Sequence, residues 1–180
     1  MDLQMEAMAV TMPEVAGHPN RLPFQGVLTL VGIASQRSPS GARGHRVMLT
    51  RAATETALPS LLGMALDYAP SLEAHDTRRK IGIITAADIV PMPQSKTASS
   101  TGQIAISGYL FAHDFPEVVA EIRAQPSSTL GMSYEIANAT VPNQEAYIWT
   151  VTDFTFTGAA VLRRDKAAYS QTWISVDKTN

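Results

Sequence analysis

The sequence predicts an α+β fold with a mostly antiparallel, barrel-like β core and a few surrounding helices. Three observations predict it. Runs of β-branched and apolar residues of strand length outnumber helical patterns, the two patterns do not alternate as βαβ units would, and Pro, Gly, Ser and Asn collect in the connections. A chain of 180 residues, 45% apolar and 17% charged, is long enough to bury one ordinary core without a staple. A single domain over residues 21–175 is expected, preceded by a flexible arm (1–20) and followed by a tail (176–180).

Residues 1–20 are Met-rich, carry Pro13, Gly17 and Pro19 near their end, and show neither the helical nor the strand period. From residue 21, LPFQGVLTLVGIA reads as a strand that bends or bulges at Gly26 and Gly32. SQRSPSGARGHR (35–46) has loop composition, and 47–50 resumes a short strand. Thr50 can N-cap a helix through RAATETAL, and Pro59 starts a second short turn through SLLGM. Residues 64–68 form a strand and 69–77, APSLEAHDT, a loop. RKIGIITAADIV (79–90) and GQIAISGYLFA (102–112) then read as a hairpin whose connection, PMPQSKTASST, is longer than a hairpin needs. Asp114 with Glu117 resembles a capping box for a helix over 115–124. Residues 129–137 and 146–157 are two strands joined by a turn at Pro142-Asn143, and a short helix over 164–169 closes the domain. No internal repeat is visible.

The composition excludes several function classes. Cysteine is absent, which removes disulfides, cysteine nucleophiles and thiolate metal sites together. A net charge of −2 without a basic stripe gives no footprint for nucleic acid. Asp67, Asp76, Asp88 and Asp114 lack a metal-loop spacing, no His-x-x-x-His or Glu-x-x-His occurs, and no phosphate-cradling Gly motif is present, so neither a metal nor a nucleotide cofactor is expected. Acidic residues stand where a secretory leader carries positive charge, and no apolar stretch approaches the roughly 20 residues a bilayer requires. Neither a leader nor a membrane partner is expected.

Hydrolytic chemistry remains open. On an alternating strand Ser133, in LGMSYEI, shares a face with Gly131 and Glu135, while Met132 and Tyr134 point the other way. A serine in a strand is more often an ordinary hydrogen-bonding residue, and the Gly-x-Ser-x-Gly elbow of α/β-hydrolases is missing. A serine nucleophile needs a base, and histidine suits that task at neutral pH. Four are present. His18 is in the arm and His113 precedes a helix, whereas His45 in GARGHR and His75 in EAHDTRRKIG could each face a cleft. The residues alone leave the choice between these two open.

From about residue 21 to 172 the chain resembles the prohead proteases of tailed bacteriophages, a family similar in fold to the herpesvirus maturation protease assemblin. FQGVLT, GHRVMLT, ALPSLLGMALDY, HDTRRKIGIITAADI, DFPEVV, LGMSYEI and FTGAAVLRRDKAAYSQT carry the resemblance through their order and spacing. It implies an assemblin-like fold, His75 as catalytic histidine and Ser133 as nucleophile. The third member lies in that family on the strand after the nucleophile strand, here VTDFTFTGAAVL. Asp153 is the only carboxylate on the polar face of that strand; Thr157 is the alternative occupant, and with it the site would work as a Ser-His dyad plus a neutral orienter. Arg163-Arg164 stand where an arginine pair supports the oxyanion in assemblin-like enzymes, although charges opening the closing helix explain them more simply. The implied activity is cleavage of scaffold protein, major capsid protein and the protease itself during capsid maturation, inside the assembling prohead in the host cytoplasm. Dimerisation on concentration within the shell is a further implication. The competing expectation is a capsid-associated structural protein that keeps the fold without catalysis.

Overall fold

A computed structural model describes residues 8–93, 100–126 and 128–177. Its main feature is one curled eight-stranded sheet. In chain order the strands of the molecule are β1 (Met8–Ala9), β2 (Leu22–Val31), β3 (Arg46–Leu49), β4 (Ala65–Tyr68), β5 (Lys80–Val90), β6 (Gly102–Leu110), β7 (Leu130–Thr140), β8 (Ile148–Val151), β9 (Asp153–Arg163) and β10 (Trp173–Val176). The sheet runs β10-β2-β6-β5-β4-β9-β7, with β1 paired to β5, while β3 and β8 form a separate parallel pair. All pairings in the main sheet are antiparallel except β4 with β9. The architecture is therefore α+β and mostly β, as the sequence predicts.

Curling brings the two ends of the sheet toward each other. The Met132 N–H of β7 donates to Thr172 Oγ1 at 3.0 Å, just ahead of β10, and a side chain at Gly26 of β2 would reach the Met132 sulfur at 3.0 Å. The concave face holds the main core, with Leu28, Leu66, Ile84, Ile104, Leu110, Met132 and Phe156 all within 3% of full burial. Alternation sets this up: on β6 and on the first half of β9 buried and less buried residues follow one another at period two. β2 carries the expected bulge, its register with β6 shifting between Val27 and Thr29.

Two α-helices are present among the described residues, α1 (Arg51–Ala57) and α2 (Pro116–Ala124). Thr50 caps α1, accepting from the Ala53 N–H at 3.3 Å, and a 3₁₀ turn Leu58–Leu61 follows with Pro59 near its start. At α2 the cap position falls to Phe115, not Asp114, whose carboxylate accepts instead from the Asn20 side chain at 2.8 Å.

Several expectations are corrected. Met8 and Ala9 of the expected arm pair with β5, and Val10 N–H donates to Thr85 O at 2.7 Å, so that part of the arm belongs to the sheet; residues 1–7 lie outside the described residues, as do 94–99 of the β5–β6 connection and 178–180 of the tail. The closing helix over 164–169 is a series of turns. Its carbonyls are taken by other partners, Arg37 reaching those of Arg164 and Ala167 and the Gln36 N–H that of Ala168, so the i to i+4 ladder cannot close. β10, which the sequence reading omitted, then completes the sheet against β2. The expected strand over 146–157 is broken at Thr152: its first part, β8, leaves to pair with β3, and the remainder, β9, pairs with β7.

Candidate active site

The convex face of the sheet carries the site. β7 presents Ser133 and Glu135 outward at period two, and the residues opposite them on β9 are Ala160 and Gly158. Small residues there leave space above the sheet. A Cβ on Gly158 would stand 2.5 Å from Glu135 Oε2, so the carboxylate lies over the glycine and could not do so over any larger residue. On the other side of β9, β4 sets Asp67 level with Ala160.

The connection from β4 to β5 folds back over this face and delivers His75. Leu72, 1% exposed, anchors it in the core, and the backbone bends there through positive φ at Ser71 and Leu72. Two consecutive non-glycine residues in that region cost of order 1–2 kcal/mol each, which the burial of Leu72 offsets. Beyond it Asp76 closes a turn, its Oδ1 accepting from Arg78 N–H at 3.1 Å and its carbonyl from Arg79 N–H at 2.9 Å. His75 is thereby held at the mouth of β5. Its Nδ1 lies 3.0 Å from Glu135 Oε1.

Ser133, His75, Glu135 and Thr157 open on one groove of about 810 Å³. Its far wall is apolar, built from Val47, Ile136, Val141, Trp149 and Val151, with the 39–43 loop over one end. The chemistry available is that of a hydroxyl and an imidazole in one cleft, the imidazole tied by one nitrogen to a carboxylate. With Nδ1–H donated to Glu135, the lone pair stays on Nε2 and the ring is fixed as a base.

Electrostatics favour a charged Glu135. Burial opposes its ionisation, but the nearby Asp67 carboxyl, the hydrogen bond to His75 and the charges of Lys80 and His75 outweigh burial and hold it below the usual carboxylate range. Asp67 goes the other way: burial, followed by the adjacent Glu135, pushes its carboxyl up to about 8. Lys80 Nζ stands 3.9 Å from Asp67 and 4.0 Å from Glu135. These two acids were not singled out by the sequence reading as site residues. Period two alone put Glu135 on the Ser133 face, and that was the signal available; Asp67 gave none.

Of the residues expected at the site, Ser133 and His75 share the groove and Asp153 does not. Asp153 is exposed at the first position of β9, opposite Thr140, five residues and roughly 17 Å along the strand from Gly158. It lines no wall of the groove, whereas Thr157, the alternative, does. The carboxylate beside the histidine comes from β7, the strand that carries Ser133. Arg163 and Arg164 are also elsewhere: Arg163 makes a two-point pair with Asp165 at 2.8 and 3.1 Å, Arg164 Nε donates to Leu130 O at 3.3 Å, and both line a different cleft with Arg37. The remaining histidines have other partners. His45 stacks on Trp149 with ring centroids 4.6 Å apart and its Nδ1 lies 2.9 Å from Ala146 O, His18 accepts from Asn20 N–H, and His113 lies beside Asp114.

Comparison with protein-family models, with curated proteins and with solved structures finds no match for this chain. No helix among the described residues is long and apolar enough to cross a membrane.

Proposed function

We propose that this chain is a serine endopeptidase of the prohead-maturation type, with an assemblin-like fold, Ser133 as nucleophile and His75 as its base. The observation that carries the reading is the His75 Nδ1 contact to Glu135 at 3.0 Å in the groove that also holds Ser133. Same-face residues two apart on a strand are about 7 Å from each other, a span that one imidazole can bridge with a hydrogen bond at either end. Glu135 thus does the work sought from Asp153, and its place on the nucleophile strand departs from the family pattern.

In the mechanism, Nε2 of His75 takes the Ser133 proton as Oγ bonds to the scissile carbonyl carbon. The imidazolium formed faces the Glu135 carboxylate, then hands its proton to the departing amine as the C–N bond breaks. Water, deprotonated by the same nitrogen, releases the acyl group and returns the proton to Ser133. An apolar wall facing these groups suits an aliphatic side chain of a polypeptide; scaffold and capsid-protein extensions, and the chain itself, are the substrates the family resemblance implies. The setting is the assembling prohead in the host cytoplasm.

Co-expression with capsid and scaffold polypeptides of a tailed phage tests the reading, together with labelling by a fluorophosphonate. Cleavage and labelling by the wild-type chain that vanish in Ser133→Ala and His75→Ala are expected. Identical capsid processing with and without Ser133 would refute it, and labelling without cleavage of any polypeptide would move the assignment to a small-ester hydrolase.

A further inference from the structure

Asp67 is the only buried residue of a charged type among the described residues, at 0% exposure. Neither of its carboxyl oxygens meets a donor in hydrogen-bonding geometry; the Asp76 backbone N–H approaches without closing such a bond. A carboxylate in that position would be stranded. Its neighbours are Glu135 on β7, His75 on the loop above and Lys80 on β5, and one carboxyl oxygen or ring nitrogen from each of Asp67, His75 and Glu135 lies within 4.8 Å of the others. Two carboxyl groups so close in a buried place do not both ionise; they hold one proton between them. Lys80 stands as close to one acid as to the other, but Glu135 also has His75 to favour its charge and Asp67 has the deeper burial, so the proton resides on Asp67. With Lys80 standing 3.9 to 4.0 Å from both groups, an ammonium and a proton already compensate the charge a metal ion would otherwise answer.

We propose that neutral Asp67 is a positioning residue, its O–H donating to the Glu135 carboxylate and so keeping Oε1 turned toward His75 Nδ1. The inference rests on the catalytic reading of His75 and adds a fourth member reached only through Glu135. It also predicts a limit on the alkaline side. Once Asp67 loses its proton, the donor becomes a second negative charge facing Glu135, and the contact that orients His75 is opposed instead of supported.

The test uses the full chain with Asp67→Asn, which keeps a donor at the same length, and Asp67→Leu, which keeps volume but no donor. The rate of Ser133 labelling by a fluorophosphonate is followed from pH 6 to 10, with melting curves to confirm folding. Wild type should lose at least tenfold above about pH 8. D67L should be ten- to a hundredfold slower at all pH values, while D67N recovers most of that loss and shows no alkaline decline. D67L and wild type with superimposable pH profiles would overturn the proposal, as would D67N losing as much as D67L. A wild-type chain that never labels defeats the catalytic reading, and the inference is then decided by the His75 ring signals in nitrogen-15 NMR. An Nδ1–H present in wild type and D67N but lost in D67L supports it; the same Nδ1–H in all three overturns it.

Discussion

Replacing Glu135 by Gln isolates the charge on which the candidate site depends. The substitution keeps the length of the side chain and an oxygen that can accept from His75 Nδ1–H, and removes one negative charge 3.0 Å from that nitrogen. With Glu135 only 15% exposed and His75 25% exposed at the side chain, solvent screens the pair partially. At a charge separation of about 4 Å and an effective dielectric constant of about 20, the carboxylate stabilises the imidazolium by about 4 kcal/mol. That corresponds to about a thousandfold in rate. Neutralising the orienting carboxylate in the Ser-His-Asp template costs about ten-thousandfold, because the amide can also impose the wrong tautomer. E135Q should therefore label with a fluorophosphonate 10³ to 10⁴ times more slowly than wild type, with melting curves confirming that the variant still folds. Asp153→Asn serves as the counterpart, since its exposed carboxylate is remote from the groove, and should label at the wild-type rate. E135Q within tenfold of wild type, or D153N falling as far as E135Q, would refute the assignment of the carboxylate.

Three further outcomes follow from the same packing. Gly158→Ala should displace Glu135, whose Oε2 lies 2.5 Å from the new methyl position, and slow Ser133 labelling at least tenfold while circular dichroism still reports the native sheet. Tyr134→Phe removes a buried hydroxyl that has no hydrogen-bond partner and should leave urea-measured stability unchanged or raise it by about 1 kcal/mol. Stability should also depend on pH through Asp67. The folded chain keeps that proton up to about 8, whereas an unfolded aspartate releases it near 3.8, so the contribution is full below 3.8 and is lost as pH rises through 8. The contribution from the lowered pKa of Glu135 is full above its ordinary value of 4.5 and is lost only as pH falls below it, so between pH 4.5 and 8 the Asp67 effect dominates and the melting temperature of wild type should fall relative to D67N.

Much of the fold was legible because it is written locally. β-branched runs bounded by Gly and Pro marked β2, β5 and β6, Thr50 marked the start of α1, and the period of Val118, Val119 and Ile122 marked α2. The errors fall where distant segments override local preference. DKAAYS has helix-compatible composition, yet its carbonyls are claimed by Gln36 and Arg37 from more than a hundred residues away. Thr152 is an unremarkable residue within an apolar stretch, and the strand divides there only because β3 draws β8 aside while β7 retains β9.

At the site the same division separates what could be read from what could not. Period two placed Glu135 beside Ser133 on one face, but it cannot say that Gly158 stands opposite Glu135 and makes room for a carboxylate to lie across β9. It favoured Asp153 for being a carboxylate on the polar face of the next strand, a criterion blind to position along that strand. Registration between β7 and β9 decides the matter: Gly158, not Asp153, is level with the histidine's partner, and only the glycine admits it. Asp67 was hidden for a different reason. Its meaning comes from a fully buried carboxyl whose oxygens close no hydrogen bond, a property of the packed interior that no pattern of letters in ALDY conveys. A protonated acid beneath an ionised one is the arrangement that lets a strand glutamate hold one orientation above a sheet, and it couples the geometry of His75 to a titration two side chains away.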